Sequence, residues 1–182
     1  MRIISGKYGG INLITPANNR ITHPMGDRQR MAIFNIIGNA SFKGAAVLDI
    51  YSGSGSLGME ALSRGSDSVT FVDNNFLAIS AINDNLRKIK GNDNKKITVV
   101  KKTAENFIKN QKSKFDIIFA DPPYDDIKLS TIEMIFSLLK PGALMVLSHP
   151  GRGEAPTGNN GVVVVDNRSY ASANITFYRR IS

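Results

Sequence analysis

Ala46-Val47-Leu48-Asp49-Ile50-Tyr51-Ser52-Gly53-Ser54-Gly55-Ser56-Leu57-Gly58 carries a short apolar run through a glycine-rich turn into a helix-forming stretch that stops at Gly65. The apolar run has the length and composition of a buried strand, and residues 57–64 those of a helix. Strand, glycine loop and helix in that order open a parallel α/β sheet. Gly53, Gly55 and Gly58 match G-x-G-x-x-G, and Asp73 lies about 20 residues beyond, ending the next strand-like run. Glycines at these places let a ligand approach the backbone beside a helix N-terminus. Asp73 is then placed to accept both hydroxyls of a ribose.

The same rhythm continues downstream. Residues 68–72, 97–100, 115–120 and 143–148 read as strands. Between them, residues 76–89, 104–110 and 129–139 read as helices, the last ended by Lys140-Pro141-Gly142. Residues 162–165 and 174–180 break the alternation. They are strand-like and joined only by a short polar connection, 166–172, which predicts a closing antiparallel hairpin. Upstream, residues 2–5 and 11–15 flank Gly6-Lys7-Tyr8-Gly9-Gly10 and read as a β-hairpin with a flexible tip. Asp27 is the expected N-cap of a helix over 28–37, with Met31, Ile33, Phe34 and Ile37 on its apolar face and Gly38 as its stop. The fold class expected is α/β. A Rossmann-like, doubly wound sheet of seven strands with the last antiparallel spans 46–182, and a small hairpin-and-helix extension spans 1–45. Strand tips carrying Asp49, Asp73 and Asp121 are expected on one edge, because ligands of such sheets bind outside the carboxyl ends of the strands.

Two ligands compete for the glycine loop. A nicotinamide dinucleotide would bring a pyrophosphate to the helix N-terminus, whereas S-adenosylmethionine brings an amino-acid end and a sulfonium. Asp49, four residues before the first glycine, favours the second: a carboxylate facing the loop repels a pyrophosphate and attracts an ammonium. The candidate cofactor residues are Asp49, Tyr51, Gly53, Gly55, Gly58 and Asp73, with Asn74 and, after the third strand, Thr103 and Ala104 around an adenine.

Ile118-Phe119-Ala120-Asp121-Pro122-Pro123-Tyr124 supplies the chemistry. The exocyclic amine of a nucleobase is a poor nucleophile, since its lone pair is delocalised into the ring. The Asp121 carboxylate and the Pro122 carbonyl can accept its hydrogens and hold the lone pair toward an electrophile. Pro122 and Pro123 set φ and add no competing N–H. Tyr124 offers a flat face for an unstacked base.

A chain of 182 residues without cysteine builds one core without disulfides, cysteine-ligated zinc or a cysteine nucleophile. No signal-like or membrane-spanning run is visible, so a soluble, cytoplasmic protein is expected. The net charge of +8 is concentrated. Residues 1–45 carry Arg2, Lys7, Arg20, Arg28, Arg30 and Lys43 against Asp27, and residues 86–114 carry ten Lys and Arg against Asp93 and Glu105. A polyanion such as nucleic acid is the partner this implies. The glycine-interleaved arginines of the N-terminal cluster suit phosphate contact better than the lysine run, which also reads as a solvated surface.

Residues 2–180 resemble the RsmD family, bacterial enzymes that methylate the N2 amine of one guanine in small-subunit (16S) ribosomal RNA. The matching pieces are Arg2-Ile3-Ile4-Ser5-Gly6 with Gly9-Gly10, Asp27-Arg28-Gln29-Arg30 with Phe34-Asn35, and the stretch from Asp49 to Gly58 with Glu60-Ala61-Leu62-Ser63-Arg64-Gly65. Asp121-Pro122-Pro123-Tyr124, Tyr170 and Thr176-Phe177-Tyr178-Arg179-Arg180 complete the set. The chain departs from the family where His23-Pro24-Met25 replaces Arg-Pro-Thr, Met31 a glutamate and Ala171 a glycine. The resemblance implies S-adenosylmethionine as cofactor, no metal, and RNA contact through the extension, where Arg2, Lys7, Arg28 and Arg30 stand. The partner implied is ribosomal RNA or an assembling small subunit, met by a monomer. His23 and His149 receive no catalytic role, because transfer from a sulfonium needs little general-base help. Two rivals stay open: a DNA adenine-N6 methyltransferase, and a non-catalytic RNA-binding or assembly factor on the same scaffold.

Overall fold

The computed structural model describes residues 1–16, 25–89, 95–150, 155–170 and 173–182. After helix α1 (Asp27–Ile37), strands β1 (Ala46–Ile50), β2 (Ser68–Asp73), β3 (Lys96–Lys101), β4 (Phe115–Ala120) and β5 (Leu139–His149) alternate with α2 (Ser56–Ser63), α3 (Phe76–Lys88), α4 (Ala104–Asn110) and α5 (Leu129–Phe136). Strands β6 (Val162–Tyr170) and β7 (Ala173–Arg180) close the chain. One seven-stranded sheet results, in the order β3-β2-β1-β4-β5-β7-β6. Neighbours from β3 to β5 are parallel, and β7 runs antiparallel to both β5 and β6. The expected alternation and antiparallel last strand are both present.

Alternating side chains send each strand's apolar residues to two cores. Leu48, Ile50, Ile118, Ala120, Met145, Leu147 and Tyr178 pack on one face with Phe107 of α4 and Ile132 and Ile135 of α5. Val47, Val69, Phe71, Ile117, Phe119, Val146 and Phe177 pack on the other with Met59 of α2 and Ile82 of α3. Ile3, Leu13, Ile33, Phe34 and Phe42 belong to that second core, so the extension is built into the sheet's own packing. Phe34 lies 5.1 Å from Phe42 and 5.4 Å from Phe119, between ring centroids.

Five details differ from the sequence reading. The hairpin pairs through Arg2 and Asn12, but its tip is not free. Ile4 N and Ser5 N donate to the two oxygens of Glu60, at 2.6 and 3.1 Å, and Lys7 N and Tyr8 N donate to Ser63 O and Oγ, at 2.8 and 2.9 Å. Glu60 is 0% exposed and also accepts from Arg64 Nε at 2.7 Å, so a buried carboxylate on α2 clamps the hairpin. In α1 the N-cap is Gly26, whose N–H donates to Gln29 Oε1 at 3.1 Å, and Asp27 is the first helical residue. Its buried stripe is Arg30, Ile33, Phe34 and Ile37, while Met31 is 46% exposed.

Helix α5 ends at Phe136 and β5 begins at Leu139, because the edge of the core takes Leu138 and Leu139. Leu138 O accepts from Phe115 N at 2.8 Å, Leu139 pairs with Phe115, and a register shift lets exposed Pro141 and Gly142 pass. Strand β6 runs on through the polar residues to Tyr170. An edge strand needs a backbone partner on one side only, and exposed residues such as Asn167 and Arg168 suit its solvated surface. Arg20, His23, Pro24, Lys90, Asp93, Ala171 and Ser172 lie outside the described residues.

Candidate active site at the carboxyl edge of the sheet

The loop after β1 is pinned by Ser52. Its Oγ donates to Asp49 O or Val72 O, at 2.6 and 3.0 Å, and accepts from Val72 N at 2.8 Å. Gly53 N then meets Asp73 Oδ2 at 2.9 Å, and Asn75 N meets Asp73 Oδ1 at 2.8 Å. The carboxylate is thereby fixed by two backbone donors, and each oxygen keeps a lone pair for a further donor. Tyr51 takes φ 64°, a left-handed conformation costly for a side-chain-bearing residue and characteristic of functional loops.

The three motif glycines have different tasks. Gly53 has φ +54° and nothing within 4 Å of the place a Cβ would take, so its face is open. Gly55 leads into α2 beneath Ile82 and Phe71. Gly58 is a correction to the cofactor assignment: a Cβ there would stand 2.3 Å from the Phe71 ring, so it serves helix–strand contact. Its N–H donates to Asp49 Oδ2 at 2.9 Å. Asp49 is only 2% exposed. Burial, and then the charges of Asp121 and Asp73, push its carboxyl well above the usual range against the opposing effect of the Gly58 N–H.

Beside the loop, a cleft of about 200 Å³ is lined by Tyr51, Asp73, Asn74, Thr103, Ala104, Asp121 and Pro123, all singled out from the sequence. Thr103 caps α4, its Oγ1 accepting from Asn106 N at 3.3 Å. Lys102, Glu105 and Lys128 also line the cleft, although sequence reading left them unassigned; only their place beside Thr103 and before α5 hinted at it.

Asp121 follows Ala120 at the end of β4, and Ala120 is in register with both Ile50 and Leu147. The three acidic tips therefore share one edge, as expected. Burial pushes the Asp121 carboxyl up to about 6, against a hydrogen bond from Ser148 that favours its charged form. Tyr124 Oη is 2.9 Å from Ser148 Oγ, and burial raises this phenol as well. Pro122 is buried, whereas Pro123 is exposed. Ser148 escaped the sequence reading because a serine at a strand end carries no motif. His149 is buried with Nε2 2.9 Å from Thr176 Oγ1 and Nδ1 3.2 Å from Pro150 O, and burial lowers its pKa.

Arg2, Lys7 and Arg28 are exposed on the extension. Arg30 is a correction: it is 0% exposed, its Nη2 donating to Arg2 O at 2.8 Å and pairing with Asp27 at 2.6 Å. A guanidinium so enclosed cannot meet a phosphate on the surface. The helical stripe 30, 33, 34, 37 was the available signal.

The family model described as conserved hypothetical protein 95 matches residues 1–179. The chain belongs to this family, the RsmD family its motifs resemble. It is 32% identical over 186 residues to the "Putative rRNA methyltransferase YlbH" of Bacillus subtilis, covering 99% of each chain. It is 32% identical over 153 residues to the Ribosomal RNA small subunit methyltransferase D of Haemophilus influenzae, covering 80% of this chain and 76% of that one. The solved structure "Putative methyltransferase yhhF from Escherichia coli" superposes with a TM-score of 0.86 at 26% identity, covering 100% of this chain and 98% of the other.

Proposed function

We propose that this RsmD-family chain transfers a methyl group from S-adenosylmethionine to the exocyclic N2 amine of a guanine in 16S ribosomal RNA. One observation carries the reading: Asp73, the adenine-side residues and Asp121 line a single cleft on the carboxyl edge of the sheet. Relatives named as ribosomal RNA methyltransferases support the RNA substrate. The guanine N2 target comes from the motif resemblance.

The residues present fit the cofactor. Gly53 leaves its face open, and Asp73 keeps acceptor capacity for ribose hydroxyls. Asn74, Thr103 and Ala104 would border the adenine. Burial pushes the Asp49 carboxyl toward its neutral form; a cationic ligand beside it would favour its ionisation, whereas a pyrophosphate would add to the repulsion. When bound, S-adenosylmethionine supplies an electrophilic methyl group on a sulfonium. Asp121, ionised above about pH 6, accepts an amine hydrogen and turns the nitrogen lone pair toward that methyl group. The Pro122 carbonyl accepts a hydrogen bond from the second N–H, the amine proton leaves to solvent after methyl transfer, and the Tyr124 ring supports the extruded base. Arg2, Lys7 and Arg28 hold RNA phosphates, and the clamp of Glu60 and Ser63 keeps the hairpin in place while they do so.

Tritium transfer from labelled S-adenosylmethionine to ribosomal RNA, DNA and protein in parallel tests the reading. Label is expected in small-subunit RNA as N2-methylguanine. Label confined to DNA or protein, or retained in none, overturns it.

A further inference from the structure

We propose that Ser148 is the positioning residue of the Asp121 carboxylate, its hydroxyl joining Tyr124 and Asp121 in one chain that holds the acceptor oxygen toward the amine. The proposal rests on the methyl-transfer reading above. Parallel pairing of Ala120 with Leu147 puts the next residues, Asp121 and Ser148, side by side at the sheet edge. Ser148 is 1% exposed, so its hydroxyl must find protein partners. Among the described residues Tyr124 Oη lies 2.9 Å from it, and strand register sets the Asp121 carboxyl beside it as the second partner we assign.

One hydroxyl proton cannot serve both partners. An ionised carboxylate only accepts, so the Ser148 O–H points to Asp121 and the Tyr124 O–H must donate to Ser148 Oγ. The chain therefore has one polarity, from phenol to serine to carboxylate, and it spends one lone pair of Asp121 on a buried donor. Asp121 also lines the cleft, where its remaining lone pairs are available to an amine. Protonating Asp121 breaks that order, because the carboxyl then becomes a donor as well.

The other charged groups around Asp121 do not replace this link. Asp49 from β1 and Asp73 at the end of β2 are acidic like Asp121, so neither can donate to its carboxylate as an ion. Lys102 and Glu105 between β3 and α4, and Lys128 before α5, line the same cleft. His149, next along β5, has its ring nitrogens turned to Thr176 and Pro150.

Carbon-13 carboxyl titration of the ligand-free protein reads the link directly. Ser148→Ala is expected to raise the Asp121 midpoint by about half a unit to one unit, the worth of one lost hydrogen bond. Ser148→Thr, which keeps a hydroxyl, should hold the parental midpoint. The acid limb of kcat against pH should move with the midpoint, while KM for S-adenosylmethionine stays within about twofold. An unmoved midpoint in Ser148→Ala, or an equal shift in Ser148→Thr, overturns the proposal. The titration needs no substrate. Failure of the parent to methylate RNA would therefore refute the reaction, while the midpoints still decide the role of Ser148.

Discussion

The two halves of the carboxyl edge are held by different means. On the glycine-loop side, the donors that Asp49 and Asp73 meet among the described residues are main-chain ones: Gly58 N, Gly53 N and Asn75 N. On the β4–β5 side, Asp121 stands in register beside a side chain, Ser148, which is itself bonded to Tyr124. Backbone donors are as rigid as the loop and helix that carry them, which suits a site that must offer a cofactor the same shape at every turnover. Side-chain donors can be retuned by one substitution, which suits the group that meets the substrate. On the proposed reading, the same edge combines a fixed binding half with an adjustable reacting half.

The sharpest way to break this contrast is to remove each half in turn. Asp121→Ala should lower kcat by about a thousandfold, the scale of losing a transition-state hydrogen-bonding group, and leave S-adenosylmethionine affinity near the parental value by calorimetry. Near-normal turnover would put the reacting half elsewhere. Next in size is Gly58→Ala, which drives a methyl group to 2.3 Å from Phe71 and should cost about 3 kcal/mol in denaturant unfolding. Gly53→Ala meets no neighbour but places a side chain at φ +54°, which should cost about 1–2 kcal/mol of stability, with a further deficit appearing in cofactor binding. Asp73→Ala should weaken the cofactor by about 10- to 100-fold, as expected for charge-assisted hydrogen bonds, with an unchanged dissociation constant removing it from the ribose site.

A smaller effect separates two arginines that stand two positions apart in the sequence. Arg28→Ala should lower RNA affinity a few-fold and reduce the slope of log K against log salt by roughly 0.7. Arg30→Ala should leave that slope alone and lower the melting temperature, because its guanidinium bridges Arg2 O and Asp27 under the hairpin. The smallest effect is on stability against pH. A carboxyl raised from 3.8 to about 6 binds its proton more tightly in the folded protein, so stability falls as pH rises through that window. Asp121→Asn removes the buried charge and should stabilise the protein at pH 7.5 by about 1 kcal/mol, allowing for the partial exposure of the site, while abolishing turnover.

Much of this was legible in the chain. Periodicity of two and of 3.6 marked the strands and helices of the parallel core, and the antiparallel ending showed in two strand-like runs without a helix between them. Legibility failed where burial depends on a distant partner. Met31 looked like a core residue and Arg30 like a surface one, because α1 meets the hairpin on the arginine's side. The hairpin tip looked mobile because nothing local in Gly6-Lys7-Tyr8 points to Glu60 and Ser63, more than fifty residues away.

The sequence by itself determined the order of elements, the carboxylates at the tips of β1, β2 and β4 and the residue types that fit a methyl donor and a base amine. These depend on neighbours in the chain, whose spacing is written in it. Tertiary structure alone decided that Gly58 serves Phe71, that Arg30 is enclosed and that Ser148 stands beside Asp121. Each of those depends on register between strands or on contact between a helix and a loop, and such distances exist only once the sheet has formed.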